Sequence, residues 1–422
     1  MDYFDFKDGI LHAEDVDLVS LADAVGTPVY VYSQATIERH ARVFSEAVAG
    51  AGVGAPLVAF AVKANPNGAV LRVLAKAGLG ADVVSGGELA RALHAGILAK
   101  NIVFSGVGKS APEMADALDA QVGQINIESE PEARTLAEVA RDKGVIAPIA
   151  FRVNPDVDAG THAKISTGKS DNKFGIAFDR ALPAYALAAS LPSLRIQGVA
   201  LHIGSQLTSL TPLDTAFRKI GGLIAQLRAA GHTIQTADLG GGLGVPYDPA
   251  LPAPPSPAAY GDMVRAATAN WNARLIFEPG RLIVANAGVL LSRVVRVKQE
   301  GNRTPFVVVD AAMNDLIRPS MYDAYHDIRA VAPSGVRFTA NVVGPVCESG
   351  DTFAMGREMD AVVEGDLLVF ATAGAYAATM ASTYNSRALT PEVIVCGAQH
   401  AVVRKRLGVA ALLAAEDAVA WL

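Results

Sequence analysis

The sequence predicts an α/β chain: a (β/α)8 TIM-like barrel, joined to a second, all-β domain of sandwich or barrel type. Three observations predict it. Eight short apolar runs recur between residues 57 and 281. Helical patterns with apolar residues at three-to-four spacing lie between most of them. After about residue 285 strand-like runs continue, but long helical patterns stop. A doubly wound open sheet would alternate strands and helices in the same way. The count of eight, and the missing dinucleotide-binding glycine pattern after the first run, favour the barrel.

The runs are LVAFAVK (57–63), ADVVS (81–85), NIVFS (101–105), QINIES (124–129), PIAFRVN (148–154), QGVALHIGS (197–205), TADLGGG (236–242) and LIFEPGR (275–281). Two of the intervening segments, GGELARALHAG and SEPEARTLAEVARDKG, are amphipathic and end on glycine, as helices do. PALPAPPSP, near residue 250, reads as a stiff, solvated loop within the barrel region. Beyond it, GVLLSRVVRVKQ, PFVVVDAA, RFTANVVGPVC, AVVEGDLLVF and EVIVCG read as strands separated by turns. The N-terminal MDYFDFKDGILHAED could add a strand to them, which makes the β domain discontinuous. The expected boundaries are 36–283 for the barrel, and 1–35 with 284–422 for the β domain.

Composition narrows the function. The chain has 422 residues, 51% hydrophobic and 18% charged, so it can bury large cores and is not disordered. A net charge of −6 without a basic stripe argues against nucleic acid and anionic membranes as partners. No apolar run reaches the roughly 18 residues that a membrane span needs. The acidic N-terminus lacks a basic-then-apolar leader, and two cysteines cannot make a disulfide framework, so a cytoplasmic location is expected.

Polar residues gather at the C-terminal ends of the predicted strands: Lys63, Ser85, Ser105, Glu128, Arg152, Asn154, His202, Gly240 and Glu278. In a barrel this is the catalytic face. Ser105 and Glu128 read equally as ordinary strand ends. Lys63 ends an otherwise apolar run, where an ammonium is costly unless something uses it. Alone it also reads as a lysine with its stem buried and its head in water. His202 alone reads as a core histidine bonded to backbone. The glycines of DLGGGLG can serve a tight turn, or can bare backbone N–H groups to a phosphate. A lysine on strand one, a phosphate cradle on strand seven and an acid on strand eight together suggest pyridoxal phosphate. A lysine holds that cofactor as a Schiff base, and an acid at its pyridine nitrogen makes the ring an electron sink. As an imine, Lys63 carries no permanent bare ammonium.

FAVKAN, HIGSQ, GGGLG, EPGR, DAAMNDLIRPSMYDAYH, GPVCESGDTF and GAYAATMASTYNSR occur in order from about residue 25 to 400. The pattern resembles the alanine racemase-like, fold-type III pyridoxal-phosphate decarboxylases. Within that group it is most similar to the diaminopimelate branch. The resemblance implies decarboxylation of meso-2,6-diaminopimelate to L-lysine and CO2, in lysine biosynthesis, by a homodimer with shared active sites and without a metal. It implies that Lys63 holds the cofactor and that His202 stacks on it. Ser205, Gly240, Gly241 and Gly242 hold its phosphate, with backbone of Pro279, Gly280 and Arg281 nearby, and Glu278 pairs with the ring nitrogen. Tyr376 reaches cofactor and substrate. Arg281, Arg318 and Tyr322 bind the carboxylate that the substrate keeps, and Glu348 binds the distal amine. Cys347 donates a proton, from a loop that enters the partner's site. Asp82 and Glu88 tune the lysine.

Arginine suits a second carboxylate because its planar fork makes two parallel bonds. A free buried cysteine is by default a small hydrophobe, and Cys396 in VIVCGAQ is read so. Three stretches depart from the family pattern: Ala388 replaces a proline in YNSRAL, SGVGKS stands where GNNKS is usual, and the tail after residue 403 is unusually apolar. Other readings are a decarboxylase of D-ornithine or D-lysine, a non-catalytic regulatory homologue, and a cofactor-free Schiff-base aldolase.

Overall fold

A computed structural model of the chain describes residues 2–158, 173–416 and 419. Two compact units emerge: Glu38–Val245 with Pro252–Ile283, and Met1–Ile37 with Pro246–Leu251 and Val284–Leu422. The segment Pro246–Leu251, read from sequence as part of the barrel region, groups with the β unit.

The first unit is a closed parallel ring. Its strands are Leu57–Ala61, Gly80–Val83, Ile102–Phe104, Gln124–Ile127, Ala147–Asn154, Leu194–Ala200, Thr236–Asp238 and Arg274–Phe277. Each pairs with the next in parallel, and Ile276↔Leu57 joins the last to the first, so no edge is left. All eight predicted runs form strands; the fifth runs through Arg152 to Asn154, while others stop short of their polar residues. The first ends at Ala61, and Lys63 sits in the 3-10 turn Val62–Ala64. The sixth ends at Ala200, two residues before His202. The last pairings, Ala61↔Asp82 and Ala200↔Asp238, mark where the chain leaves the ring. Beyond them there is no ladder to hold polar side chains, and the residues turn into the mouth.

Local chemistry starts and stops the helices. Ser85, Ser110 and Ser129 each accept a backbone N–H at the start of a helix (Gly86–His94, Ala111–Ala120 and Glu130–Lys143). Ser110 and Glu113 complete a reciprocal capping box. Gly144, at φ +67°, ends the third of these helices. Inside the ring, Leu57, Ala59, Val103 and Ile276 pack together. Gly198 lies against Thr236, where a β-carbon would collide with the hydroxyl and the carbonyl.

The second unit is a mixed sheet around the long strand Gly288–Lys298. That strand pairs antiparallel with Val29–Ser33 and Leu367–Phe370 on its two edges near its start, and with Phe306–Val309 toward its end. The N-terminal segment makes its own three-stranded antiparallel sheet, Phe4–Lys7, Ile10–Ala13 and Val16–Asp17. The buried strand Val29–Ser33 joins the main sheet between Gly288–Lys298 and Glu392–Cys396. Phe4, Leu11, Leu21, Val31, Leu291 and Val393 belong to one core. Cys396 is exposed, contrary to the core placement read from sequence. Val393 and Val395 face the core, so alternation turns Cys396 outward, and it ends its strand at a hairpin opposite Gln399. Of the apolar tail, residues 417, 418 and 420–422 lie outside the described residues. Among the described residues no helix is long and apolar enough to cross a membrane.

Gly198→Ala should destabilise the protein by about 1–3 kcal/mol through overpacking between two ring strands. A urea unfolding curve that matches wild type would contradict this.

Candidate active site

Lys63 Nζ donates to Asp82 Oδ2 at 2.6 Å. Asp82 is fully buried on the second strand, and its Oδ1 has no hydrogen-bond partner among the described residues. Glu88 lies close by, its carboxyl raised above the usual range by burial, with Val84 N–H donating to its Oε2. On the neighbouring side of the first strand, Glu278 follows the eighth strand and is buried. Burial, and the carboxylates of Asp238 and Asp82, push its pKa well above the ordinary carboxylate range. It therefore keeps its proton and shares a hydrogen bond with Asp238. Asp238 is itself raised to about 6, mainly by burial.

Sequence reading missed Asp238 and the polar ladder that holds it. Gln124 and Asn126 alternate on the fourth strand and so share a face. Thr236 Oγ1 donates to Gln124 Oε1 at 2.7 Å, and Gln124 Nε2 to Asn126 Oδ1 at 2.9 Å. Asn126 Nδ2 reaches Asp238 Oδ2 at 2.9 Å and Ser105 Oγ at 3.1 Å. Ser105 lies 3.4 Å from Glu278 Oε1. Ser105 is thus part of the site, and more than a strand end. The clue was two polar residues at i and i+2 inside the apolar QINI. Lys109, from the divergent SGVGKS, is buried and pairs with Glu132 at 2.7 Å. It also donates to the carbonyl of Asn126 at 2.7 Å, fixing that strand end. Glu128 pairs with Arg152 at 3.3 Å. Ser85, another strand-end residue, serves as a helix cap.

His202 Nδ1 accepts the Gly241 N–H at 3.2 Å, so that nitrogen carries no proton. Burial, then the nearby cations Arg152 and Lys63, hold the imidazole well below its ordinary value. Gly240 sits at φ +65°, where a β-carbon would come 2.6 Å from the Leu201 carbonyl. A β-carbon at Gly241 would strike the Glu278 carbonyl. These positions require glycine and bring backbone close to the mouth. Arg281 is buried, and its guanidinium reaches Ser205 Oγ at 3.2 Å. The Pro279 carbonyl accepts from Ala61 N at 3.1 Å, which ties the EPGR turn to the strand that leads to Lys63.

The ring thus brings together Lys63, His202, Ser205, Gly240, Gly241, Gly242, Glu278, Pro279, Gly280 and Arg281 at its C-terminal rim. The set offers an amine, a neutral imidazole, a protonated buried acid and an anion cradle. These fit a flat ring that bears an aldehyde, a basic nitrogen and a phosphate. Glycine-only backbone beside a buried acid is what such a group accounts for.

The β unit holds the other candidates. Arg318 opens the helix Arg318–Tyr322, is buried, and donates from Nε to His326 Nε2 at 3.3 Å. Its guanidinium lies 4.8 Å from the centre of the Tyr247 ring. Tyr322 is half-buried at the end of that helix. Tyr376 is half-buried in a left-handed turn at φ +54°. Cys347 and Glu348 are exposed on one loop. Asp351 pins the base of that loop: Val346 N–H donates to Oδ2 at 2.7 Å and Met313 N–H to Oδ1 at 2.6 Å. A β-carbon on Gly344 would collide with the same carboxylate.

Residues 34–285 match the family model for the pyridoxal binding domain of pyridoxal-dependent decarboxylases. Fold, site and this match place the chain in that class, the pyridoxal-phosphate-dependent carboxy-lyases. The chain is 57% identical over 419 residues to the diaminopimelate decarboxylase of Zymomonas mobilis, covering 99% of each. The crystal structure of the M. jannaschii diaminopimelate decarboxylase in complex with L-lysine superposes with a TM-score of 0.94 at 36% identity, over 100% of this chain and 99% of that one. The Helicobacter pylori enzyme, also with L-lysine, gives 0.91 at 38% identity, over 94% and 99%. The chain belongs to the diaminopimelate decarboxylase family.

A histidine held neutral binds fewer protons folded than unfolded. Its contribution is in place above the ordinary histidine pKa of about 6.5 and is lost as pH falls below it. The fall in Tm of cofactor-free protein between about pH 7.5 and about pH 5.5 should be smaller in His202→Asn than in wild type. Equal falls would mean that the imidazole is not held neutral.

Proposed function

We propose that the chain converts meso-2,6-diaminopimelate to L-lysine and CO2. The observation that carries the reading is the Lys63–Asp82 pair in the same ring as the buried Glu278. Lys63 is the covalent anchor for pyridoxal phosphate, and Ser205, Gly240, Gly241 and Gly242 bind the phosphate, with Pro279, Gly280 and Arg281 beside it. When bound, the cofactor supplies an electron sink for the pair left at Cα as CO2 departs.

The remaining steps belong to the chain's own residues. Asp82 orients the Lys63 amine and receives its hydrogen bond. Glu278 holds a proton opposite the ring nitrogen. His202, neutral and fixed through Nδ1 by Gly241, covers one ring face without adding charge. Arg318, Tyr322 and Arg281 bind the carboxylate that stays on the substrate, since paired N–H donors match its two oxygens. Tyr376 contacts cofactor and substrate, and Glu348 takes the distal ammonium. Cys347 donates the proton that Cα needs after CO2 leaves. Its exposed loop supports a homodimer in which each copy completes the other's site. The two cysteines are free, which supports a cytoplasmic location. L-lysine, bound in the M. jannaschii and H. pylori structures, is the product of this reaction.

Purified protein given meso-diaminopimelate, D-lysine or D-ornithine should release CO2 with the first far faster than with the others. Comparable release from D-ornithine would assign another substrate. Cys347→Ala should keep the cofactor's visible absorbance and lose most turnover, on the order of a hundredfold as for a lost general acid. Unchanged turnover would remove Cys347 from the chemistry. Arg318→Ala should raise KM for diaminopimelate well before it weakens cofactor binding, and equal effects would reassign it.

A further inference from the structure

Asp238 has no part in the reaction as assigned, yet it is about as buried as any acid in the chain, at 1% exposure. It ends the seventh strand, directly before the glycine cradle. Both of its oxygens receive N–H donors: Asn126 Nδ2 at Oδ2, 2.9 Å, and Gly240 N at Oδ1, 3.0 Å. An acid that accepts at both oxygens is held as the carboxylate, so the proton it shares with Glu278 resides on Glu278. A second route joins the same two acids, through Asn126 Nδ2 to Ser105 Oγ and on to Glu278 Oε1. Gln124 and Lys109 fix Asn126 from its side chain and its carbonyl. The other titratable groups that act on the pair are Asp82, Lys63 and the Tyr260 phenol.

We infer that Asp238 is a positioning residue that makes Glu278 an effective partner for the cofactor's ring nitrogen. The inference rests on pyridoxal phosphate binding at Lys63. A carboxylate directly behind Glu278 makes loss of the proton between Glu278 and the ring nitrogen costly, because two adjacent negative charges would remain in a buried site. Asn126 sets the geometry, and Asp238 supplies the charge.

The test compares two ligands on cofactor-free protein, pyridoxal 5'-phosphate and its analogue with the ring nitrogen replaced by C–H. Affinities are read from ligand absorbance. Wild type should prefer the natural cofactor by roughly tenfold or more, as a charge-assisted bond predicts. In Asp238→Asn, that preference should shrink to under about threefold, with affinity for the analogue nearly unchanged. The exchange variant Asn126→Asp with Asp238→Asn keeps an acid–amide pair but moves the charge one residue away from Glu278. Its preference should stay collapsed. A wild-type ratio in either variant, or equal weakening of both ligands, overturns the inference. Should Asp238→Asn fail to fold, the exchange variant decides alone, and failure of both to fold makes Asp238 structural and overturns it. Wild type that binds neither ligand would sink the cofactor assignment itself, a result distinct from binding with an unchanged ratio.

Discussion

The structure depends on how one ring of strands tolerates Asp82, Asp238 and Glu278 together with the Lys63 ammonium at its mouth. Asp82, Asp238 and Glu278 project from the second, seventh and eighth strands or their ends. Each buried charge costs several kcal/mol unless it is paired. Lys63 pairs with Asp82, and Glu278 avoids ionisation by keeping its proton against Asp238. One oxygen of Asp82 has no donor among the described residues. The arrangement suits a site prepared for a ring with a basic nitrogen, which a buried acid can face.

Backbone geometry delivers these groups. The ring closes without an edge, and its strands end within a residue or two of the functional side chains. Glycine is required at positions 240 and 241 because neighbouring carbonyls leave no room for a β-carbon. In the β unit a different device applies: one buried carboxylate, Asp351, gathers two backbone N–H groups and fixes the base of a loop whose tip carries Cys347 and Glu348. Both devices fix the backbone on either side of the functional residues.

Much of this was legible in the residues. Short buried strands between amphipathic helices are a period argument, and all eight were found. Lys63, His202 and Glu278 stood out because polar side chains are rare inside apolar runs. Several strands end before their apolar runs do, because apolar residues continue past the last ladder bond and the sequence does not mark where pairing stops. Asp238 was hidden in plain view: the glycines after it drew the reading toward phosphate, while an acid at a strand end looks ordinary. Its importance lies in contacts with Asn126 and Glu278, 112 and 40 residues away, which no local pattern encodes. Arg318, Tyr322 and Tyr376 carry no local mark either, and came only from resemblance.

The central claim is a single covalent bond at one side chain, and peptide mass mapping tests it most directly. Protein purified with its cofactor, reduced with borohydride and digested, should yield one peptide with a pyridoxyl-phosphate mass added at Lys63. A modified peptide elsewhere, at the buried Lys109 for instance, or no modified peptide at all, would contradict the account.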